Sequence, residues 1–247
     1  MPQVEPVMSN VLKDLWSTSG QYRSECQTAD DIQTTLALLN LPGATALTDV
    51  GCGNGAFSIA AARTHPDLKV FAYDAMESAM AEFTAAAEGL PRGQLVTAVA
   101  LAEALPISTG AVDRVLCRAV LHHIAQPALL YAELSRVLKP AGQLLLQAPC
   151  NYWEAQWSKF MSDFYMLMDA SHRRQYHMPA GIIAALNEVS LLMHRTDCWT
   201  YTMTDVNEEQ RALIARHDAA RRLNLRQSDD GQWSADFYWV RVLAHKY

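Results

Sequence analysis

The sequence is short of positive charge, of pairable cysteines and of long apolar runs, and each shortage excludes a class of protein. Lys and Arg number 20 against 26 Asp and Glu, for a net charge of −6. A surface that takes up nucleic acid needs a cationic excess to displace counterions from phosphates, and no basic run supplies one, so no nucleic-acid partner is expected. The five cysteines, Cys26, Cys52, Cys117, Cys150 and Cys198, are odd in number and scattered, with no C-x-x-C pair. That pattern argues against a disulfide framework and against a zinc site, and no metal is expected. No stretch approaches the roughly 18 apolar residues of a membrane span, and the opening "MPQVEPVMSNVLKDL" has no apolar signal core. The expectation is a cytoplasmic protein with reduced thiols and no membrane partner. Internal repeats and low-complexity segments are absent too.

Half of the 247 residues are hydrophobic and 19% are charged, which suits a chain with a sizeable core. Apolar positions at helical spacing over residues 10–40, interrupted near "STSGQY", predict two leading helices. Strands and helices then alternate. "ALTDV", "LKVFAYD", "GQLVTAVA", "AVDRVLCRAV" and "GQLLLQAP" read as strands. Ala56–Thr64, "AMESAMAEFTAAAEGL" and "QPALLYAELSRVLKP" read as helices, the last stopping at Pro140. Continuous apolar strands separated by helices imply a parallel sheet buried on both faces. After Pro149 an aromatic-rich insert occupies residues 150–178. A helix over "PAGIIAALNEVSLLM", a strand over "RTDCWTYTMT", a helix over "DVNEEQRALIARHDAARRLNL" and a last strand over "DFYWVRVLAHKY" complete a count of seven strands. With no linker in view, the chain reads as a single domain. Residues 1–45 supply the leading helices, 46–149 the ligand-binding core, 150–194 a helical cap, and 195–247 the elements that complete the sheet.

"TDVGCGNGAF", residues 48–57, places Gly51, Gly53 and Gly55 between the first strand and the helix that follows. In a doubly wound sheet this turn lies where ligands bind, and glycine lets the backbone approach them closely. The N–H groups opening the next helix add a partial positive charge. "GCGNGA" fits a dinucleotide fingerprint, which leaves a nicotinamide-dependent oxidoreductase as one reading. The acids favour another. Asp49 would repel a pyrophosphate but can hold an ammonium group. Asp74 ends the next strand, where a carboxylate accepts ribose hydroxyls. A ribose with a cationic amine and no phosphate describes S-adenosylmethionine.

"DVGCGNG", "AYDAMESAM", "LAEALPISTGAVDRVLCRAVLHHI" and "ELSRVLKPAGQLLL", spread over roughly residues 46–148, together resemble the class I S-adenosylmethionine-dependent methyltransferases. The likeness is to the small-molecule branch that includes ubiquinone and menaquinone biosynthesis enzymes, the methyltransferase type 11 domain. The resemblance implies a Rossmann-like sheet of seven strands in the order 3-2-1-4-5-7-6, the last strand antiparallel. It further implies that Asp49, Gly51, Cys52 and Gly53 meet the methionine part of the cofactor. Asp74 and Ala75 would meet the ribose, and Ala102 and Glu103 the adenine. Leu101 stands where the family usually has an Asp for the adenine amino group. Ala141 replaces the first Gly of a Gly-Gly pair, a turn variation expected to be harmless. Tyr22 is a candidate to close over the cofactor, as N-terminal segments do in that family.

Methyl transfer from a sulfonium needs chiefly positioning and dryness, so an obvious acid–base dyad is not required. Arg118 and His122 follow the fourth strand. Arg118 could contact the cofactor or bind an acceptor carboxylate or phosphate, and His122 could serve as a base. The bland alternative for His122 and His123 is capping and packing. Tyr152, Trp153, Trp157, Phe160, Phe164 and Tyr165 could form a dry lid, or simply pack a cap helix on the sheet. Tyr176, among His172, Arg173, Arg174 and His177, is a further acceptor-side candidate. The expected protein is a methyltransferase acting on a small molecule at C, O or N, as a monomer or homodimer. A non-catalytic protein that keeps the cofactor pocket is the remaining alternative.

Overall fold

The structure is a computed structural model that describes residues 28–150, 156–168 and 178–247. Helix α1 (Ala29–Leu39) opens on Thr28, whose hydroxyl accepts from the Asp31 N–H, and ends on Asn40 in the left-handed conformation. Strands β1 (Ala46–Val50), β2 (Lys69–Asp74), β3 (Leu95–Val99), β4 (Val112–Arg118) and β5 (Leu138–Pro149) follow. Helices α2 (Ala56–Thr64) and α3 (Glu77–Ala86) connect β1 to β3, and α4 (Pro127–Val137) connects β4 to β5. Next come α5 (Gln156–Met168), α6 (Pro179–Glu188), β6 (Leu191–Met203), α7 (Glu208–Arg216), the two-residue β7 (Arg226–Gln227) and β8 (Trp233–Lys246).

The sheet runs β3-β2-β1-β4-β5-β8-β6, with β7 paired only to β8. β1 through β5 are mutually parallel, and β8 is antiparallel to both β5 and β6. With β7 set aside this is the expected order. The reversal between β1 and β4 puts the carboxyl ends of those strands at the point where such sheets bind ligands.

Two apolar layers enclose the sheet. Leu39 of α1 and Phe57 of α2 pack with Leu116, Leu145 and Leu243 on one face. Leu130 and Leu134 of α4, with Ile182 and Leu186 of α6, pack with Val115, Leu144 and Val242 on the other. Phe160 and Phe164 of α5 are fully buried against Ile214, Leu223 and Phe237 in a separate cluster. These two aromatics therefore build a core under β8 and do not form a lid.

Several boundaries differ from the sequence reading. α4 stops at Val137, three residues before Pro140, because Leu138 already pairs with Val112. The register between these strands then shifts, and Ala141 sits at φ 60°. β6 takes over "LLM" from the expected helix and starts at Leu191. α7 ends at Arg216, with Asp218 at φ 50° breaking the longer helix that the spacing predicts.

Candidate active site

The glycine turn is shaped by close approach. Gly51 has φ 71°, and a Cβ placed there would lie 2.2 Å from Val120 Cγ2. Its N–H and that of Cys52 both donate to the Tyr73 carbonyl, at 2.8 and 3.0 Å, which ties the turn to β2. Gly53, at φ 54°, differs in kind: a Cβ there would meet nothing within 4 Å. The turn thus packs tightly at Gly51 and leaves a cradle at Gly53.

Asp74 closes this cradle. Its Oδ2 accepts from the Gly53 N–H at 2.8 Å and its Oδ1 from the Met76 N–H at 2.9 Å. One carboxylate at the end of β2 therefore orients both the glycine turn and the start of α3. A carboxylate oxygen can accept more than one hydrogen bond, which suits a ligand hydroxyl. Ala75 lies between these two anchored positions, half-buried.

Asp49 sits deeper, 3% exposed, with Ser58 Oγ donating to its Oδ2 at 2.6 Å. Burial pushes its pKa up to about 6; the Ser58 bond opposes this, the Asp74 charge adds to it, and Arg118 lowers it. A carboxylate poised there is an incompletely compensated negative charge that a cationic group would stabilise. Cys52 points into the core, with its Sγ 3.8 Å from Met80 Sδ, and burial pushes its thiol pKa up. Any contact from Cys52 to a ligand is therefore through its backbone. Ala102 and Glu103 are half-buried in the turn after β3, where the Ala100 N–H donates to the Asp74 carbonyl at 2.9 Å. This bond places the turn beside Asp74.

Arg118 is held from several sides. Its Nε donates to Gln147 Oε1 at 2.9 Å and its terminal nitrogen to Asp31 Oδ2 at 2.6 Å. The guanidinium lies 4.9 Å from the Phe57 ring centroid and 5.1 Å from that of Trp239. Asp31, pushed above its ordinary range by burial, is countered by Arg118 and by Arg241. Arg118 thus joins α1, α2, β5 and β8 at the carboxyl end of β4, a network that its sequence neighbours do not announce. His122 is buried in a single 3-10 turn, Leu121–His123, with its ring 4.1 Å from that of His123. Tyr22, Tyr152, Trp153 and Tyr176 lie outside the described residues, as do His172, Arg173, Arg174 and His177.

Residues 48–146 match the model of a methyltransferase domain family. The malonyl-[acyl-carrier protein] O-methyltransferase of Hahella chejuensis is 33% identical over 101 residues, 39% of this chain and 34% of that protein. The ribosomal RNA large subunit methyltransferase G of Photobacterium profundum is 32% identical over 106 residues, 40% of this chain and 28% of that one. The chain thus spans about a third of the length of these curated relatives. Among solved structures, a candidate methyltransferase of Bacillus halodurans C-125 superposes with a TM-score of 0.76 at 23% identity, covering 88% of this chain and 99% of that one. Geranyl diphosphate C-methyltransferase of Streptomyces coelicolor A3(2), solved with S-adenosyl-L-homocysteine, gives 0.65 at 18% identity, covering 99% and 85%. At these identities the structural likeness is one of fold. No helix among the described residues is long and apolar enough to cross a membrane.

Proposed function

We propose that this chain, whose residues 48–146 match the model of a methyltransferase domain family, transfers a methyl group from S-adenosylmethionine to a small-molecule acceptor. The observation that carries the reading is a pair of carboxylates at adjacent strand ends, one buried and one half-buried, around a glycine cradle. Asp49 lies at the base of the glycine turn, and Asp74 faces the cradle at Gly53. Two anions so close disfavour a dinucleotide pyrophosphate and suit an amine and a ribose instead.

When bound, the cofactor supplies a methyl carbon already activated by a cationic sulfur. The chain's own residues bind and orient. Above pH 6 Asp49 is ionised and offers its charge to the amine, directly or through water. Asp74, fixed by the Gly53 and Met76 N–H groups, accepts the ribose hydroxyls without having to reorganise first. In this reading the Ala102 N–H and Glu103 meet the adenine edge, and Leu101 takes the position of the usual Asp. Arg118 acts as a positioning residue: it locks the end of β4 to α1 and β8 and keeps the cofactor side dry. His122 packs against His123 beneath the same edge.

The acceptor is read as a small molecule because the chain has a net charge of −6 and no basic run to track a phosphate backbone. The Hahella chejuensis relative, named for a malonyl group on a carrier protein, accords with this reading. The compartment is taken to be the cytoplasm. Calorimetric titration tests the cofactor assignment. S-adenosylhomocysteine should bind in the micromolar range with no heat from NAD, and the opposite pattern would overturn it in favour of an oxidoreductase.

A further inference from the structure

A cavity of about 220 Å³ lies between the start of α1 and strands β6 and β8, with Asp31, Arg118, Trp199, Tyr201, Thr202 and Trp239 in its wall. At about 30 Å³ per water molecule it has room for roughly seven, or for one small ring system. Arg118 connects it to the candidate active site, for the same guanidinium stacks on Phe57, the second residue of α2, and on Trp239 in the cavity wall. The cavity therefore sits at the carboxyl edge of the sheet, at the end of β4 marked by Arg118.

Three aromatic rings, three threonines and the Arg118–Asp31 pair make up its wall. The Trp199 and Trp239 ring centroids are 5.6 Å apart and tilted by 44°, and Tyr201 meets Trp239 edge-on at 6.5 Å. Arg118 pairs with Asp31 at 2.6 Å, and Arg241, stacked on Trp199 at 4.4 Å, pairs with Asp197 at 3.1 Å. Two half-buried cations thus already pair with carboxylates, Arg118 and Asp31 in the wall itself and Arg241 and Asp197 behind Trp199, so an anionic or cationic ligand would have to break an existing pair to find a partner. Aromatic surface with compensated charge favours a flat, uncharged ring, which gains stacking and loses little hydration on entry.

We propose that this cavity is the acceptor site and that it takes an uncharged planar aromatic molecule. The inference rests on the methyltransferase reading and adds the acceptor's chemical class. The test is calorimetry on the full chain with 2-naphthol, its saturated counterpart 2-decalol and the anionic 2-naphthalenesulfonate, each with and without S-adenosylhomocysteine. The expected result is 2-naphthol binding at least tenfold tighter than either comparator. Trp199→Ala should weaken 2-naphthol by about two- to twelvefold, the range for one lost aromatic contact, and leave S-adenosylhomocysteine affinity unchanged. Tyr201→Leu gives a second reading should Trp199→Ala fail to fold. Equal binding of 2-naphthol and 2-decalol, or no 2-naphthol binding to a chain that still binds S-adenosylhomocysteine, overturns the proposal. A chain that selects 2-naphthol but takes up no S-adenosylhomocysteine retains the aromatic site and contradicts the methyltransferase reading instead.

Discussion

Ser58 donates to Asp49 across 2.6 Å, joining the first strand to the helix that follows the glycine turn in a region shielded from water. That bond, with a smaller contribution from the Arg118 charge, is the compensation for a carboxylate whose pKa burial has pushed up to about 6. The site therefore holds a charge that costs stability until a cation meets it.

A stability–binding trade-off follows at Asp49. Its folded pKa of about 6 exceeds the ordinary value of 3.8. The favourable contribution of the protonated form is thus fully present below pH 3.8 and is lost as pH rises through 6. Asp49→Asn should accordingly be more stable than the parent by about 3 kcal/mol at pH 7, with the difference vanishing near pH 4. The same variant should bind S-adenosylhomocysteine at least tenfold more weakly at pH 7.5. In the parent chain affinity should fall as pH drops through 6. Urea denaturation at the two pH values, paired with calorimetry, checks both halves.

The Arg118–Asp31 pair should behave as one unit. Removing the guanidinium takes the ion-pair partner from Asp31 and leaves Gln147 Oε1 with only the 3.4 Å bond from Thr35 Oγ1, in a mostly buried setting, so Arg118→Ala should cost about 3 kcal/mol. Asp31→Asn should cost about 1 kcal/mol, and the double variant less than the sum by 1 kcal/mol or more. A double-mutant cycle in urea measures the coupling. Additive losses would show that the pair is incidental.

Ala141→Gly should stabilise the protein by about 1 kcal/mol. The sequence reading takes Ala141 as a harmless replacement, yet it sits at φ 60°, where an L side chain is strained and glycine is not. Its neighbour Gly142 is constrained differently: a Cβ there would lie 2.8 Å from both Leu138 Cδ2 and the Lys139 carbonyl oxygen. Gly142→Ala should therefore destabilise, and thermal denaturation of the two variants should move the midpoint in opposite directions.

What could be read in advance was what is local. Turn chemistry and the acid at each strand end mark the glycine cradle, because Asp49, Gly51, Gly53 and Asp74 all lie within or directly beside the motif they serve. The sheet order came with the family resemblance. What spacing could not convey is pairing at a distance. Arg118 meets Asp31 and Gln147, 87 and 29 residues away, and nothing near position 118 signals either. Leu138 becomes a strand residue only because Val112 pairs with it. The helix expected over 205–225 has its apolar positions right, since Leu213, Ile214, Ala219 and Leu223 share one core. It breaks because Asp218 adopts a left-handed conformation, which no periodicity encodes. Sequence spacing does not encode the aromatic cavity for the same reason: Trp199 and Trp239 face each other only through the antiparallel pairing of β6 and β8.

Titrating S-adenosylhomocysteine into Asp74→Ala is the most direct measurement of the central claim, that a ribose is held at the end of β2. Loss of two charge-assisted hydrogen bonds should weaken binding by at least tenfold, with the far-ultraviolet spectrum and the midpoint of unfolding showing that the sheet persists. Undiminished affinity in a folded Asp74→Ala chain would mean that the cofactor lies elsewhere or is a different molecule.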